Sequence, residues 1–262
     1  MRTIIFNNTI TLLRREFYKV HRFRSTLLSH IIAPLSYLIL FAMGFTSAFH
    51  EFYYHGKKML YITFLIPGLI SYQIYMQFFH TYITTSNDMR FGVLKLLILG
   101  GINLNSLSMA KFILSLFFIF FQSLLFFSYY FIFIHEINFS FFILLKLLFA
   151  IIILLIPWIL LGVSIGIKIR KEEYRDVLYT LFHFPIVFSS SIFYDPQMAP
   201  KWIFWISKIN PLTYTTDILR GIFISQYNIV FSSLFGYGIF FIFTIFIFKY
   251  FSKTPNLPFR TR

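Results

Sequence analysis

Six apolar runs, each close to or above the ~20 residues that cross a bilayer as a helix, divide the chain. They lie at Leu27 to Phe49, Met59 to Ile83, Leu107 to Ile134, Phe139 to Ile167, Val177 to Phe193 and Ile229 to Phe251, the fifth being the shortest. Ahead of the first, Met1 to Ser25 carries Arg2, Arg14, Arg15, Lys19, Arg22 and Arg24, with Ile5, Leu12, Leu13, Phe17 and Val20 between them. The apolar positions fall largely on one helical face, which predicts a basic amphipathic helix lying at the membrane surface, its cations among anionic headgroups. A cleaved signal peptide is not expected, because the charged region is long and no A-x-A site follows the apolar run. Between the fifth and sixth runs, residues 194–228 are interrupted by Pro196, Pro200 and Pro211 and carry Tyr194, Trp202, Trp205 and Tyr214. Proline breaks regular backbone, and aromatic side chains with polar tips favour the lipid–water boundary, so this stretch reads as short helices at a membrane surface. The expected fold is all-α: one domain over 1–262 with an N-terminal interface helix, six transmembrane helices and short outer helices before the last span.

Composition agrees with the pattern. The 262 residues are 58% hydrophobic with a mean hydropathy of +0.75 and only 12% charged, against about a quarter in ordinary soluble domains. The absence of cysteine excludes disulfides, thiolate metal sites and cysteine nucleophiles. The 39 Phe are read as a compositional bias rather than as a binding signal. A net charge of +14 could suggest nucleic acid, yet no nucleic-acid motif accompanies it and the cations follow membrane topology instead. With the N-terminus inside, the inner segments hold six, three, four and four Lys and Arg, against five in the outer ones. Because such residues concentrate on the cytoplasmic side, both termini are expected there, in a bacterial inner or plasma membrane or an organelle membrane of bacterial descent. The remaining cation, Lys146, is expected to snorkel from the fourth span to the headgroups. The second span is unusually polar, with Thr63, Ser71, Gln73, Gln77 and His80, groups expected to face protein rather than lipid.

Motifs that would carry chemistry are weak. Gly162-Val-Ser-Ile-Gly166 fits the pattern of a serine-hydrolase elbow but sits inside an apolar helix. Small residues four apart there instead give a face for close helix packing. His50-Glu51 with His55 lacks the spacing that would put both imidazoles on one helical face, Asn138-Phe-Ser140 is a sequon close to the membrane, and no phosphate-binding loop exists in the chain. No enzymatic activity is expected of the chain itself. The segment Asn87 to Gly101 mixes charge with a short apolar run ending in two glycines, which predicts a short helix presenting Arg90, Phe91 and Lys95 to lipid or to a soluble partner. In Asn210-Pro-Leu-Thr-Tyr214, Asn supplies a capping oxygen and Pro211 takes the first helical position, so a helix should begin there, with Asp217 and Arg220 three apart as an ion pair.

Phe64-Leu-Ile-Pro-Gly-Leu69, Arg90 to Gly101, Ser189 to Tyr194 with Met198 to Trp202, and Asn210 to Tyr214 followed by Asp217 and Arg220 resemble the membrane (permease) subunits of type-2 ATP-binding-cassette exporters. The six-span plan is similar along nearly the whole chain. The resemblance implies a homodimer, or a heterodimer with a related subunit, joined to separate ATPase subunits that bind ATP and Mg, while this chain holds no cofactor. It implies ATPase contacts at Met1 to Ser25 and at Asp88, Arg90, Phe91 and Lys95. It also implies short re-entrant helices over Phe193 to Ile224 as an outer gate, drawing on Tyr194, Trp202, Asn210, Pro211, Tyr214, Asp217 and Arg220. Relatives often carry an acidic residue near the end of the second span and a proline closing the first inner loop; here His80, Asp88 and Gly100-Gly101 stand instead. The cargo would be an amphipathic drug, lipid or lipid-linked glycan. A stand-alone secondary transporter or channel would need ionisable groups within its spans to couple ions, and a membrane-embedded transferase a polar catalytic cluster. The chain offers few candidates for either.

Overall fold

The computed structural model describes residues 2–22, 24–46, 52–54, 56–134, 140–169, 171–224 and 231–253. Its elements run α1 (Arg2–Arg22), α2 (Arg24–Thr46), β1 (Phe52–Tyr54), β2 (Lys57–Met59), α3 (Tyr61–Arg90), α4 (Val93–Leu99), α5 (Leu104–Phe133), α6 (Phe141–Lys168) and α7 (Glu172–Phe188). A 3-10 turn (Pro196–Met198), α8 (Lys201–Ser207), α9 (Pro211–Ile224) and α10 (Phe231–Lys253) complete the chain. His50, Glu51, His55 and Asn138 lie outside the described residues.

Among the described residues, four helices are long and apolar enough to cross a membrane: α3, α5, α6 and α10. Helix α2 has the length of a span, 23 residues, but the apolar run found in it is shorter, His30–Leu40. The fifth apolar run departs most from expectation. Helix α7 begins at Glu172 and stops at Phe188, 17 residues in all, five residues ahead of the predicted segment at each end. Glu172 and Glu173 in its first turn favour an early start by complementing the helix dipole. At its end Ser189 caps the helix, and the chain turns away through Ser190 and Ser191. The hairpin of β1 and β2, with Gly56 at φ 76° in its turn, is a feature that hydropathy did not predict.

Helix α3 is the spine. It packs against α2, α5, α6, α7 and α9, and every side chain from Tyr61 to Tyr75 is buried. A helix buried all round must bury its polar groups too: Thr63, Ser71, Gln73 and Gln77 are buried as the polar pattern anticipated, His80 is half-buried, and Thr81 and Thr85 are buried as well. Its largest interface is with α6, where small residues bring the helices together. A Cβ on Gly162 would stand 2.8 Å from the Phe78 carbonyl oxygen, and one on Gly166 would stand 2.7 Å from Thr85 Cβ. The outward faces are apolar instead: Phe117, Phe120 and Leu124 of α5, Phe142, Leu145 and Phe149 of α6, and Phe235, Ile242 and Phe246 of α10 are exposed in the isolated chain. Surfaces of that kind suit lipid. Lys146 is exposed among those of α6.

With 30 residues, α3 is about 45 Å long at ~1.5 Å per residue. Helix α1 meets its Arg90 end; the hairpin, α9 and the segment Ser191 to Phe193 meet its Tyr61 end. Polar chemistry gathers at these two ends.

Candidate functional site

At the Tyr61 end, the site grows from the start of α9. Asn210 Oδ1 accepts from the Leu212 amide at 2.9 Å, satisfying one of the helix's free amides. The same side chain donates through Nδ2 to the Ile186 carbonyl at 2.6 Å and to Ser189 Oγ at 3.0 Å. One asparagine thus starts α9 and fastens it to the end of α7. Pro211 holds the first helical position. Further on, Thr216 Oγ1 and Ser71 Oγ pair at 2.6 Å, setting α9 against α3. Gly68 of α3 admits the Ile192 carbonyl so closely that a Cβ there would stand 2.5 Å from its oxygen.

These contacts place Arg220 inside the protein, 1% exposed, where the sequence suggested a surface ion pair with Asp217. Its Nε donates to the Phe64 carbonyl at 3.3 Å and its Nη2 to the Ser191 carbonyl at 2.7 Å. The guanidinium lies 3.7 Å from the centre of the Phe64 ring and 5.4 Å from that of Tyr54. Planar, weakly hydrated and rich in donors, guanidinium is the cation best suited to such a setting of ring faces and carbonyls. Asp217 stands one turn away, Oδ1 3.8 Å from Arg220 Nη1. Its carboxylate accepts from Ser191 Oγ at 2.8 Å and from Ser233 Oγ of α10 at 3.3 Å. A cavity of about 340 Å³ opens beside the pair, bordered also by Tyr54, Asp195, Lys208, Thr213 and Tyr214.

The other residues expected at this end frame the cavity or lie outside it. Tyr214 donates its hydroxyl to the Lys208 carbonyl, and its ring fills the space left by Gly236. Tyr194 donates to the Phe188 carbonyl. Trp202 and Trp205 project from α8, 65% and 66% exposed.

The Arg90 end carries a denser network. Asp88, buried on α3, accepts from Arg15 and, at 3.0 Å, from Lys19, both of α1. Glu16 of α1 accepts from Arg15 at 2.6 Å, and Lys111 of α5 donates to Thr84 of α3 at 2.7 Å. Burial pushes the Glu16 carboxyl up, but the nearby cations of Lys111, Lys19 and Arg15 outweigh it and bring it down to about 2. Three helices are therefore joined by buried or half-buried charge. Beyond it, Arg90 pairs with Glu172, and Arg175 donates to Asn87 at 2.8 Å, tying α3 to the start of α7.

Asp88 thus differs from the exposed contact the sequence suggested: its carboxylate is used inside the molecule. Arg90 and Phe91 are exposed and Lys95 half-buried, while Leu96 and Leu99 of α4 are 70% and 64% exposed. The two glycines end α4 as expected: Gly101, at φ 83°, donates to the Ile98 carbonyl and Ile102 to that of Leu97, closing the helix as a Schellman turn. Glu16 and Lys111 escaped the reading of the sequence. A signal for the first was present, since Glu16 is the single acid among the five Lys and Arg of its helix. Lys111 lies inside the third apolar run, where it counts only as one of the inner cations.

Comparison with known proteins places this geometry among relatives. The model of the family described as "ABC-2 type transporter" matches residues 7–224, a stretch that begins within α1 and ends with α9. The chain is also similar to the "Putative transport permease ycf38" of Cyanophora paradoxa, 26% identical over 235 residues, which cover 87% of this chain and 78% of that protein.

Proposed function

The chain belongs to the ABC-2 type transporter family, and from that premise we propose that it is the membrane-embedded permease half of an ATP-driven exporter. ATP and Mg are bound by a separate ATPase chain, and this chain holds no nucleotide. Two permeases, copies or related chains, form the path between them, and an amphipathic drug, lipid or lipid-linked glycan crosses by alternating access. The bundle spans six times, α2 and α7 joining the four long helices, with both termini cytoplasmic. The turn at Pro196–Met198 with α8 and α9 forms the re-entrant outer gate, and α1 with α4 receives the ATPase. A ligand drives such a change only by binding the two states differently, which ATP-dependent closure of the ATPases supplies.

The observation that carries this reading is the Asp88 junction. It ties α1 to the end of the spine while leaving Arg90, Phe91, Leu96 and Leu99 outward beside it. An apolar patch with a cation at its edge is suited to a protein partner. The test is purification from the native membrane in mild detergent, with wild type and Arg90→Glu/Lys95→Glu compared. Wild type should bring a nucleotide-binding protein with it and the variant should lose it. The Arg90–Glu172 pair is half-exposed on both sides, and such pairs are worth about 0–1 kcal/mol, so folding should persist. Unaltered association would move the contact elsewhere. Export that continues after ATP depletion, with no ATPase retained, would end the exporter reading.

A further inference from the structure

The cavity beside Arg220 is built for an occupant. Among the described residues on its wall, two buried side-chain polar atoms have no hydrogen-bond partner, Arg220 Nη1 and Thr213 Oγ1. Both residues belong to α9, and both are buried, Thr213 6% exposed and Arg220 1%. Native proteins rarely leave such donors unfilled, because each retains the cost of its lost hydration. Lys208, its ammonium 5.1 Å from the Phe204 ring centre, adds a second cation at the wall.

The acceptors on the same wall are committed in a different way. Asp195 Oδ1 takes the Gln197 amide at 3.0 Å, and Asp217 takes the Ser191 and Ser233 hydroxyls. Two cations thus face two carboxylates, so the wall carries no net charge to hold a bare anion. An occupant must bring acceptor oxygens to Arg220 and Thr213 and must be able to donate toward Asp195 and Asp217. An oxyanion with neighbouring hydroxyls meets both demands. The volume, about 340 Å³, lies at the small end for ligand sites and suits a headgroup rather than a whole amphiphile.

We propose that this cavity binds a phosphorylated polyol headgroup of the glycerol phosphate type. The phosphoryl oxygens accept from Arg220 Nη1, Thr213 Oγ1 and Lys208, and the hydroxyls donate to Asp195 and Asp217. A free phosphorylated polyol and a lipid bearing the same headgroup offer the same chemistry. The site stands on the cavity alone and needs neither nucleotide nor ATPase, so its test is independent of the export reading.

The test uses the purified full chain without ATPase or nucleotide. Calorimetric titration with sn-glycerol 3-phosphate and with glycerol reads the free source. Native mass spectrometry after exchange into phosphatidylglycerol or phosphatidylcholine reads the lipid source, since phosphatidylcholine carries the phosphate but no hydroxyls. Binding of glycerol phosphate over glycerol, or retention of phosphatidylglycerol over phosphatidylcholine, is the expected result, and which arm responds identifies the source. Thr213→Val should weaken that binding about tenfold, the loss of one hydrogen bond to a charged group. Its melting temperature should hold or rise, because the hydroxyl it removes makes no hydrogen bond within the chain. Arg220→Lys should weaken binding further, because a single ammonium cannot hold the Phe64 and Ser191 carbonyls and also reach the phosphoryl group as the guanidinium does. A cavity that takes water alone, with no preference in either arm, overturns the proposal. So does a Thr213→Val variant that binds as wild type does.

Discussion

Gly166→Ala tests whether close approach of α6 to α3 holds the bundle together. An added Cβ would stand 2.7 Å from Thr85 Cβ and 2.8 Å from the Tyr82 carbonyl oxygen, where ordinary contact begins at 3.4 Å. The obstacles are a backbone oxygen and the rigid base of a β-branched side chain, so nothing flexible can swing aside. Helix α6 must retreat by about 0.6 Å or both helices must bend, and overpacking of this kind costs about 1–3 kcal/mol. Against that stands the helix-propensity gain of Ala over Gly, about 1 kcal/mol. Gly238 of α10 supplies the control, since a Cβ there meets nothing within 4 Å. Gly238→Ala should keep the whole gain, while Gly166→Ala should lose it and more. The expected separation is about 1–3 kcal/mol, which is roughly 3–10 °C for a chain of this length. Both variants are compared by tryptophan fluorescence and by size-exclusion after heating in one detergent. Equal midpoints would refute the claim that small residues set the α3–α6 distance.

The remaining expectations concern the two polar ends. Glu16 ionises near 2 in the folded chain against 4.5 when free, a depressed value, so its stabilising contribution is complete above pH 4.5 and fades as pH falls toward 2. That contribution is about 3 kcal/mol, and Glu16→Gln should flatten thermal stability over this window; an unchanged acid slope would count against the Glu16 cluster. Asp88→Asn removes the negative charge shared by Arg15 and Lys19 and one of its two acceptor oxygens, and loosening of α1 should appear as faster amide exchange there while α6 stays protected. Trp202 and Trp205 are exposed whereas Trp158 is 2% exposed. Brominated lipid should therefore quench the first two most when bromine lies near the headgroups, and the single-Trp variant retaining Trp158 should respond least.

The long helices were legible because a hydrophobic run of that length has few other solutions, and the start of α9 because Asn210-Pro211 encodes its own cap. Close packing at Gly162 and Gly166 could likewise be read locally, since both residues act through their missing side chains. Arg220 could not. Its partners on Phe64 and Ser191 are distant in the chain, so only the neighbouring Asp217 was visible from sequence. The role of Lys111 was hidden for a related reason: it lies inside the third apolar run, but the acids that balance it, Glu16 and Asp88, come from two other helices. The fifth run misled differently, because hydropathy continues past Phe188 but the backbone of Ser189 to Ser191 leaves the helix to meet Asn210, Asp217 and Arg220.

The spine also sets a mechanical ratio. Both polar ends are fastened to one helix, and α6 grips it near Thr81 and Thr85, toward the Arg90 end. A rod about 45 Å long that tilts by about 5° around its middle carries each end roughly 2 Å sideways, in opposite senses. A fulcrum nearer Arg90 shortens one arm and lengthens the other, so a small displacement beside Asp88 returns as a larger one beside Arg220. Pro67, one and a half turns from the far tip, is the place where that longer arm can bend before the cavity wall follows.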